Sequence, residues 1–141
     1  MTKDYEAIRR LIAIYAQLLD SERREEWGQL FTEDAVFRVA GETFEGRAAI
    51  EAGIFSMREE KPAQHVLLSP VIDFDKASSA RCWTDMAAHL TTESGIEVVT
   101  IARYYDRLVR SSSDGRWRYA QRTLVMGGED LPPDIEPTPG F

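Results

Sequence analysis

The chain of 141 residues is sized for one domain that encloses a single core and leaves room for one interior cavity. Its 24 acidic residues outweigh 17 basic ones, and the net charge of −7 repels phosphate backbones and anionic lipid, which excludes nucleic acid and membrane surfaces as partners. Charges at Lys3, Asp4 and Glu6 interrupt any secretory signal, no apolar run reaches membrane-spanning length, and one cysteine with two histidines supports neither a disulfide framework nor a common zinc motif, so a soluble cytoplasmic protein is expected.

Residues 4 to 20 carry Ile8, Leu11, Ile12, Tyr15, Ala16 and Leu19 at the spacing of a helix with one buried face, with Asp4 placed as its cap. A polar stretch then leads into Trp27, Leu30 and Phe31, which predict a short second helix ending before Thr32. The pair is expected to form a helical hairpin. Ala35 to Val39 and Thr43-Phe44 flank Ala40-Gly41-Glu42 as a β-hairpin that Gly46 ends. From Arg47 to about Glu60, Ile50, Ile54, Phe55 and Met57 recur at helical spacing until Lys61-Pro62, where proline forbids continuation. Segments 63 to 74, 80 to 91, 96 to 109 and 117 to 126 are rich in β-branched and aromatic residues, and polar turn clusters separate them. Three hairpin connections in a row predict an antiparallel meander. Residues 1–127 make the domain, and the proline-rich stretch 128–141 reads as an extended tail.

Helices followed by a meander are an α+β order, in which a strongly curved sheet wraps the helices and leaves a pocket at its open end. Asp20 follows Ile12 and Ala16 at steps of four, so a continuing helix points its carboxylate along the buried face; equally, Asp20 can cap the second helix. His65 lies in the apolar run Gln64 to Ile72, where it is either a core histidine satisfied by a carbonyl or a proton carrier. If the two meet, the carboxylate fixes the imidazole tautomer and the free nitrogen takes a proton, or a desolvated Asp20 is itself the base. Tyr15 sits on the same helix stripe and can donate to a substrate oxygen or simply pack. Arg122, placed by alternation on a face with Ala120, Leu124 and Met126, needs an anion, either a substrate group or a neighbour such as Asp106.

The smoother face of residues 80 to 90, comprising Ala80, Cys82, Thr84, Met86, Ala88 and Leu90, is assigned to the cavity. Arg81, Trp83, Asp85 and His89 then face outward. Phe37, Phe55, Met57, Thr84, Met86, Ala88 and Tyr104 are the expected walls of an apolar pocket suited to a cyclic or aromatic small molecule. The polar-aromatic outer face, Trp83 included, predicts a homodimer or homotrimer, with the tail crossing to a neighbour.

The segments Tyr15-Ala-Gln-Leu-Leu-Asp20, Leu30-Phe-Thr-Glu-Asp-Ala-Val36, Phe44-Glu-Gly46, His65, Arg103-Tyr-Tyr-Asp106 and Trp117-Arg-Tyr-Ala-Gln-Arg122 together resemble the SnoaL-like branch of the NTF2-like superfamily over residues 4 to 127. The resemblance implies a cone-shaped, mainly antiparallel sheet around three helices. It also implies the chemistry of that superfamily's cofactor-free lyases, such as hexachlorocyclohexane dehydrochlorinase, bile acid 7α-dehydratase and scytalone dehydratase, in which an acid near the place of Asp20 pairs with a strand histidine at that of His65. Tyr15 matches a tyrosine of the bile acid enzyme, and Arg122 an arginine of the dehydrochlorinase pocket. An aspartate of the bile acid enzyme falls at Ala88 and is missing. The expected activity is a cofactor-independent dehydratase-type lyase or isomerase that uses no metal. The competing readings are a non-catalytic small-molecule binder or accessory subunit, a polyketide cyclase, and an epoxide hydrolase, whose closely spaced Arg and Asp on one strand Arg122, Asp106 and Asp85 do not reproduce.

Overall fold

The computed structural model describes residues 2–60 and 62–141 and contains three helices and seven strands. Helix α1 (Thr2–Asp20) buries Ile8, Leu11, Ile12, Tyr15, Ala16, Leu18 and Leu19, the stripe its periodicity requires. Asp4 does not cap it. Its carboxylate accepts from the Trp117 indole at 2.9 Å and from Arg110 at 3.2 Å, tying the first turn to the far end of the sheet.

Helix α2 is a single turn, Arg24–Gly28, and the chain is already a strand at Phe31. The sequence pattern around Trp27, Leu30 and Phe31 suggested a longer helix, but these residues are buried for another reason. Strand β1 (Phe31–Val39) runs parallel to the last strand, β7 (Trp117–Met126), with Phe31 opposite Tyr119 and Phe37 opposite Arg122. Such pairing of the first strand with the last is invisible to local pattern. Strand β2 (Glu42–Glu45) returns antiparallel to β1 through a turn in which Ala40 and Gly41 both have positive φ, 51° and 79°. That is the twist of a two-residue hairpin turn, and only the second of the two residues adopts it without steric cost.

Helix α3 spans Arg47–Glu60 as the periodicity predicts; Lys61, assigned as part of its stop, lies outside the described residues. Gly53 lets α3 lie against the hairpin, since a Cβ there would enter the Phe44 ring. Gly53→Ala is therefore expected to lower the urea midpoint, because overpacking of about 1–3 kcal/mol outweighs a helix-propensity gain of about 1 kcal/mol.

The segment expected as one strand over 63 to 74 is interrupted at Leu68-Ser69-Pro70, giving β3 (Gln64–Leu67) and β4 (Val71–Lys76). Both pair antiparallel with the same edge of β5 (Ser79–Thr92), so the break is a bend in one edge. Strand β6 (Gly95–Arg110) joins β5 to β7, and the sheet order is β2-β1-β7-β6-β5-β3, with β4 also on β5. The architecture is thus the expected α+β one: three helices against an open, curved, mainly antiparallel sheet whose β4-β5-β6-β7 run is a meander.

Two bulges change which side chains share a face. One in β7 opposite Arg107 and Leu108 makes Ala120 the extra residue, so Tyr119 replaces Ala120 beside Arg122 on the inner face. The second leaves Val99 of β6 without a partner between the Ala88–Thr100 and His89–Val98 pairs. His65 pairs with Ala88, and His89 pairs with Gln64, so the two histidines occupy neighbouring strands with opposite facing.

The tail 128–141 forms no helix or strand and folds back on the outer face of its own sheet. Asp134 pairs with Arg38 at 3.0 Å, Glu136 pairs with Arg81 and accepts the Trp83 indole through its backbone carbonyl at 3.0 Å, and Thr138 accepts from Arg103 at 3.1 Å. Trp83 is consequently 4% exposed. The outward aromatic that suggested a subunit contact is sealed by the chain itself. Elsewhere on that face Val66, Leu68, Ile96, Val98 and Ile101 are at least half exposed. No helix among the described residues is long and apolar enough to cross a membrane.

Candidate active site

Asp20 is the last residue of α1, where an acid opposes the helix dipole and no basic residue in the last turn relieves it. The cost is offset by specific partners. One carboxylate oxygen meets His65 Nδ1 at 2.7 Å, and the other accepts the His65 backbone N–H at 2.9 Å. Asp20 does not cap α2, which has Arg23 at its N-cap position and no side-chain cap. The acid and the histidine thus meet, 45 positions apart in sequence, with side chains 19% and 17% exposed.

A third residue holds this corner together, and the sequence reading missed it. Arg58 near the end of α3 donates to the Asp20 carbonyl at 3.0 Å and to the Ala63 carbonyl at 2.7 Å, and its guanidinium lies 3.7 Å from the Asp20 carboxylate. It therefore satisfies an orphan carbonyl at the end of α1, fixes the start of β3 and places a positive charge beside the acid. The signal was present in the sequence. Ile50, Ile54 and Arg58 follow one another at steps of four, which puts a cation on the buried stripe of α3.

His65 opens onto a cavity of about 350 Å³ in the open end of the fold, between α1, α3 and the concave face of the sheet. Tyr15, Phe37, Met57, Met86, Ala88 and Tyr104 line it as expected, joined by Leu19, Ile54, Arg58, Leu90, Leu124 and Met126. An apolar cavity of about 150 Å³ accepts benzene, so this space suits roughly two fused rings. Polar groups in the wall are few: His65, Arg58, Thr100 and the two phenols. Among the described residues, no three His, Cys, Asp or Glu side chains come together as metal ligands.

Three expected site residues lie elsewhere. Phe55 faces α2, with its ring 5.5 Å from that of Trp27 and Arg24 stacked on it, because the α3 stripe is wide enough to serve both the cavity and the α2 contact. Thr84 is fully buried in the closed part of the core with Ala80 and Cys82; only Met86, Ala88 and Leu90 from that face reach the cavity. Arg122 is the third. Its Nε and Nη2 bind both oxygens of Asp106 at 2.8 and 2.9 Å, both side chains are fully buried, and it does not line the cavity. The anion it needs is supplied by its neighbour across the β6–β7 pair.

Around that ion pair the rings are close. The Arg122 guanidinium carbon lies 3.6 Å from the ring centre of Tyr104 and 4.2 Å from those of Tyr15 and Tyr119. Burial disfavours the Arg122 charge, yet Asp106 more than compensates and holds its pKa well above the ordinary value. Burial likewise pushes the Tyr15 and Tyr104 hydroxyls up, with Arg122 countering in part, so both remain protonated at neutral pH. Cys82, cross-strand from Asp106, has its thiol pushed up by burial and by that carboxylate. It is expected to resist alkylation in the native protein and to react once the protein is unfolded, as counted by mass spectrometry. Asp85 pairs with Arg103 at 2.6 Å on the outer face, so Asp85, Arg122 and Asp106 do not converge on one site.

A family model described as a SnoaL-like domain matches residues 1–123. No curated protein matches the chain. Among solved structures, an NTF2-like protein with a cystatin-like fold from Novosphingobium aromaticivorans is 24% identical with a TM-score of 0.81, covering 92% of this chain and 85% of its own. A protein of the same organism, provisionally named a scytalone dehydratase, is 24% identical with a TM-score of 0.75 over 89% of this chain and 88% of its own. A Catenulispora acidiphila protein in complex with S-DNPA is 27% identical with a TM-score of 0.77 over 89% of this chain and 95% of its own.

Proposed function

The chain belongs to the SnoaL-like domain family, and from that premise we propose that it is a cofactor-independent lyase or isomerase of the dehydratase type, acting on an apolar cyclic compound of about two rings. The observation that carries this reading is the 2.7 Å contact between His65 Nδ1 and Asp20 at the wall of an otherwise apolar cavity. Asp20 accepts the Nδ1 proton and so selects the tautomer whose Nε2 is bare. That nitrogen is the base. Asp20 also stabilises the imidazolium after proton removal, and Arg58 keeps the carboxylate oriented.

Proton removal from carbon leaves charge that must settle on an oxygen, and a phenol of the wall, Tyr15 first among them, is suited to receive it. Loss of a β-hydroxyl as water then completes a dehydration, and return of the proton elsewhere completes an isomerisation. The relative provisionally named a scytalone dehydratase supports the same class of chemistry. The test is deuterium uptake from D2O next to the carbonyl of a fused two-ring ketone, followed by NMR. Uptake catalysed by the protein and lost in His65→Ala supports the reading, and tight binding of such ketones with no exchange above background would replace it with that of a binding protein.

A further inference from the structure

Helix α1 carries two apolar stripes, and the fold covers only one of them completely. Tyr15 and Leu19 look into the His65 cavity, whereas Ala7, Leu11, Ile14 and Leu18, at steps of four and three, line a separate groove of about 550 Å³ on the other side of the helix. Leu30 and Trp117 complete its apolar lining. From Ala7 to Leu18 the helix rises about 16 Å, while α2, a single turn of five residues, is about 7.5 Å long and cannot cover that length.

The rim of this groove runs against the charge of the chain, whose net value is −7. Of the charged residues that line it, Arg118 is matched by Asp114 at 2.7 Å and Glu26 by Arg23 at 2.6 Å. Arg10 and Arg116 are exposed and pair with no carboxylate among the described residues, Glu6 one turn before Arg10 included. The two gather toward one end. The Trp117 indole donates to Asp4 in the first turn of α1, which brings Arg116 to the start of the helix, while Leu18 lies about 12 Å beyond Arg10.

We propose that the groove is a second binding site, for an amphipathic carboxylate whose head is held by Arg10 and Arg116 and whose hydrocarbon chain lies along Leu11, Ile14 and Leu18. A guanidinium matches a carboxylate in shape as well as charge, and the exposed rim lets the head keep part of its water. The floor is recessed: Leu11, Leu18, Leu30 and Trp117 are each at most 9% exposed, out of reach of a flat partner surface but open to a slender chain. The occupant is therefore long and flexible, unlike the compact compound that suits the His65 cavity. α1 separates the two spaces, and this site stands whether or not His65 is a base.

Dodecanoate, kept below the concentration at which it forms micelles, tests the site, read by the indole N–H signals of the three tryptophans in ¹⁵N-labelled protein. Trp117 lines the groove, Trp27 is packed among the rings of Tyr15, Phe31 and Phe55, and Trp83 lies beneath the tail, so the Trp117 signal alone is expected to shift and to saturate. Arg10→Gln with Arg116→Gln should weaken binding at least tenfold at an unchanged thermal midpoint, since two charge-assisted contacts are lost and no ion pair of the fold is broken. Dodecyltrimethylammonium, with the same chain and a cationic head, should bind at least tenfold more weakly than dodecanoate. An unmoved Trp117 signal at millimolar dodecanoate, equal affinity in the double variant, or equal affinity for the two amphiphiles would overturn the inference. A shift confined to the methyl signals of Met57 and Met86 would do the same, because it places the acid in the His65 cavity. Cosedimentation with phosphatidylglycerol vesicles would overturn it in favour of a membrane surface. His65→Ala should bind dodecanoate as the wild type does, so that failure of this site and failure of the base are read separately.

Discussion

Replacing His65 with alanine is expected to lower deuterium exchange into a bound two-ring ketone by roughly 10²–10⁴-fold, the range a positioned general base contributes, while the thermal midpoint shifts little. The side chain is at the cavity wall and partly exposed, so its removal opens space without breaking the core. Asp20→Asn is the sharper variant. The carboxylate accepts two hydrogen bonds from the same residue, one from the ring and one from the backbone N–H. An amide has only one accepting oxygen, so satisfying the backbone leaves its NH2 facing Nδ1. The ring must then carry its hydrogen on Nε2, the nitrogen that has to accept the substrate proton. The substitution retains histidine and packing and removes the base, and a kcat close to wild type in Asp20→Asn would sink this account of the tautomer.

The largest effect on stability is expected at Asp106. Asp106→Ala leaves the Arg122 charge fully buried without its partner, a loss of about 3–5 kcal/mol and, for a domain of this size, a fall of roughly 10–15 °C in thermal midpoint. The three rings around Arg122 soften the loss without replacing a bidentate carboxylate. Comparison with the double substitution Asp106→Leu with Arg122→Met, which removes both charges while keeping the core filled, separates two kinds of cost. If the single variant is severe and the double variant mild, the penalty belongs to the stranded charge; if both are severe, it belongs to the shape of the core. Differential scanning calorimetry on the pair decides between them.

Elements whose cause is local were legible in the sequence. Helix α3 and strand β7 have the limits that periodicity, proline and turn residues assign, and α1 buries the stripe that its spacing marks. Helical repeats at steps of four allowed Asp20 a place on the buried face beside the alternative of a cap, and only the resemblance to the SnoaL-like branch implied that it faces His65. What escaped was decided by partners distant in sequence. Phe31 is a strand residue because β7 lies beside it, and Tyr119 takes the place of Ala120 next to Arg122 because a bulge shifts the alternation by one. Arg58 was overlooked as an ordinary charged residue near a helix end, although its register with Ile54 marked it. Trp83 read as an open surface because the tail that covers it has no pattern of its own; it is held by Asp134, Glu136 and Thr138 to arginines scattered over three strands.

The parallel pairing of β1 with β7 also sets when the cavity can exist. Phe37 must wait for Arg122 to be synthesised before its strand has an inner neighbour, and closing so long a segment is costly in entropy until the contacts around it form together. β7 supplies Leu124 and Met126 to the cavity and Arg122 to the ring cluster, and it bridges β1 to β6. On a growing chain, α1, α3 and the His65 strand therefore emerge with their apolar faces uncovered, and the molecule acquires its interior in one late step. The same strand that shapes the cavity is the one whose absence leaves a nascent chain most exposed to aggregation.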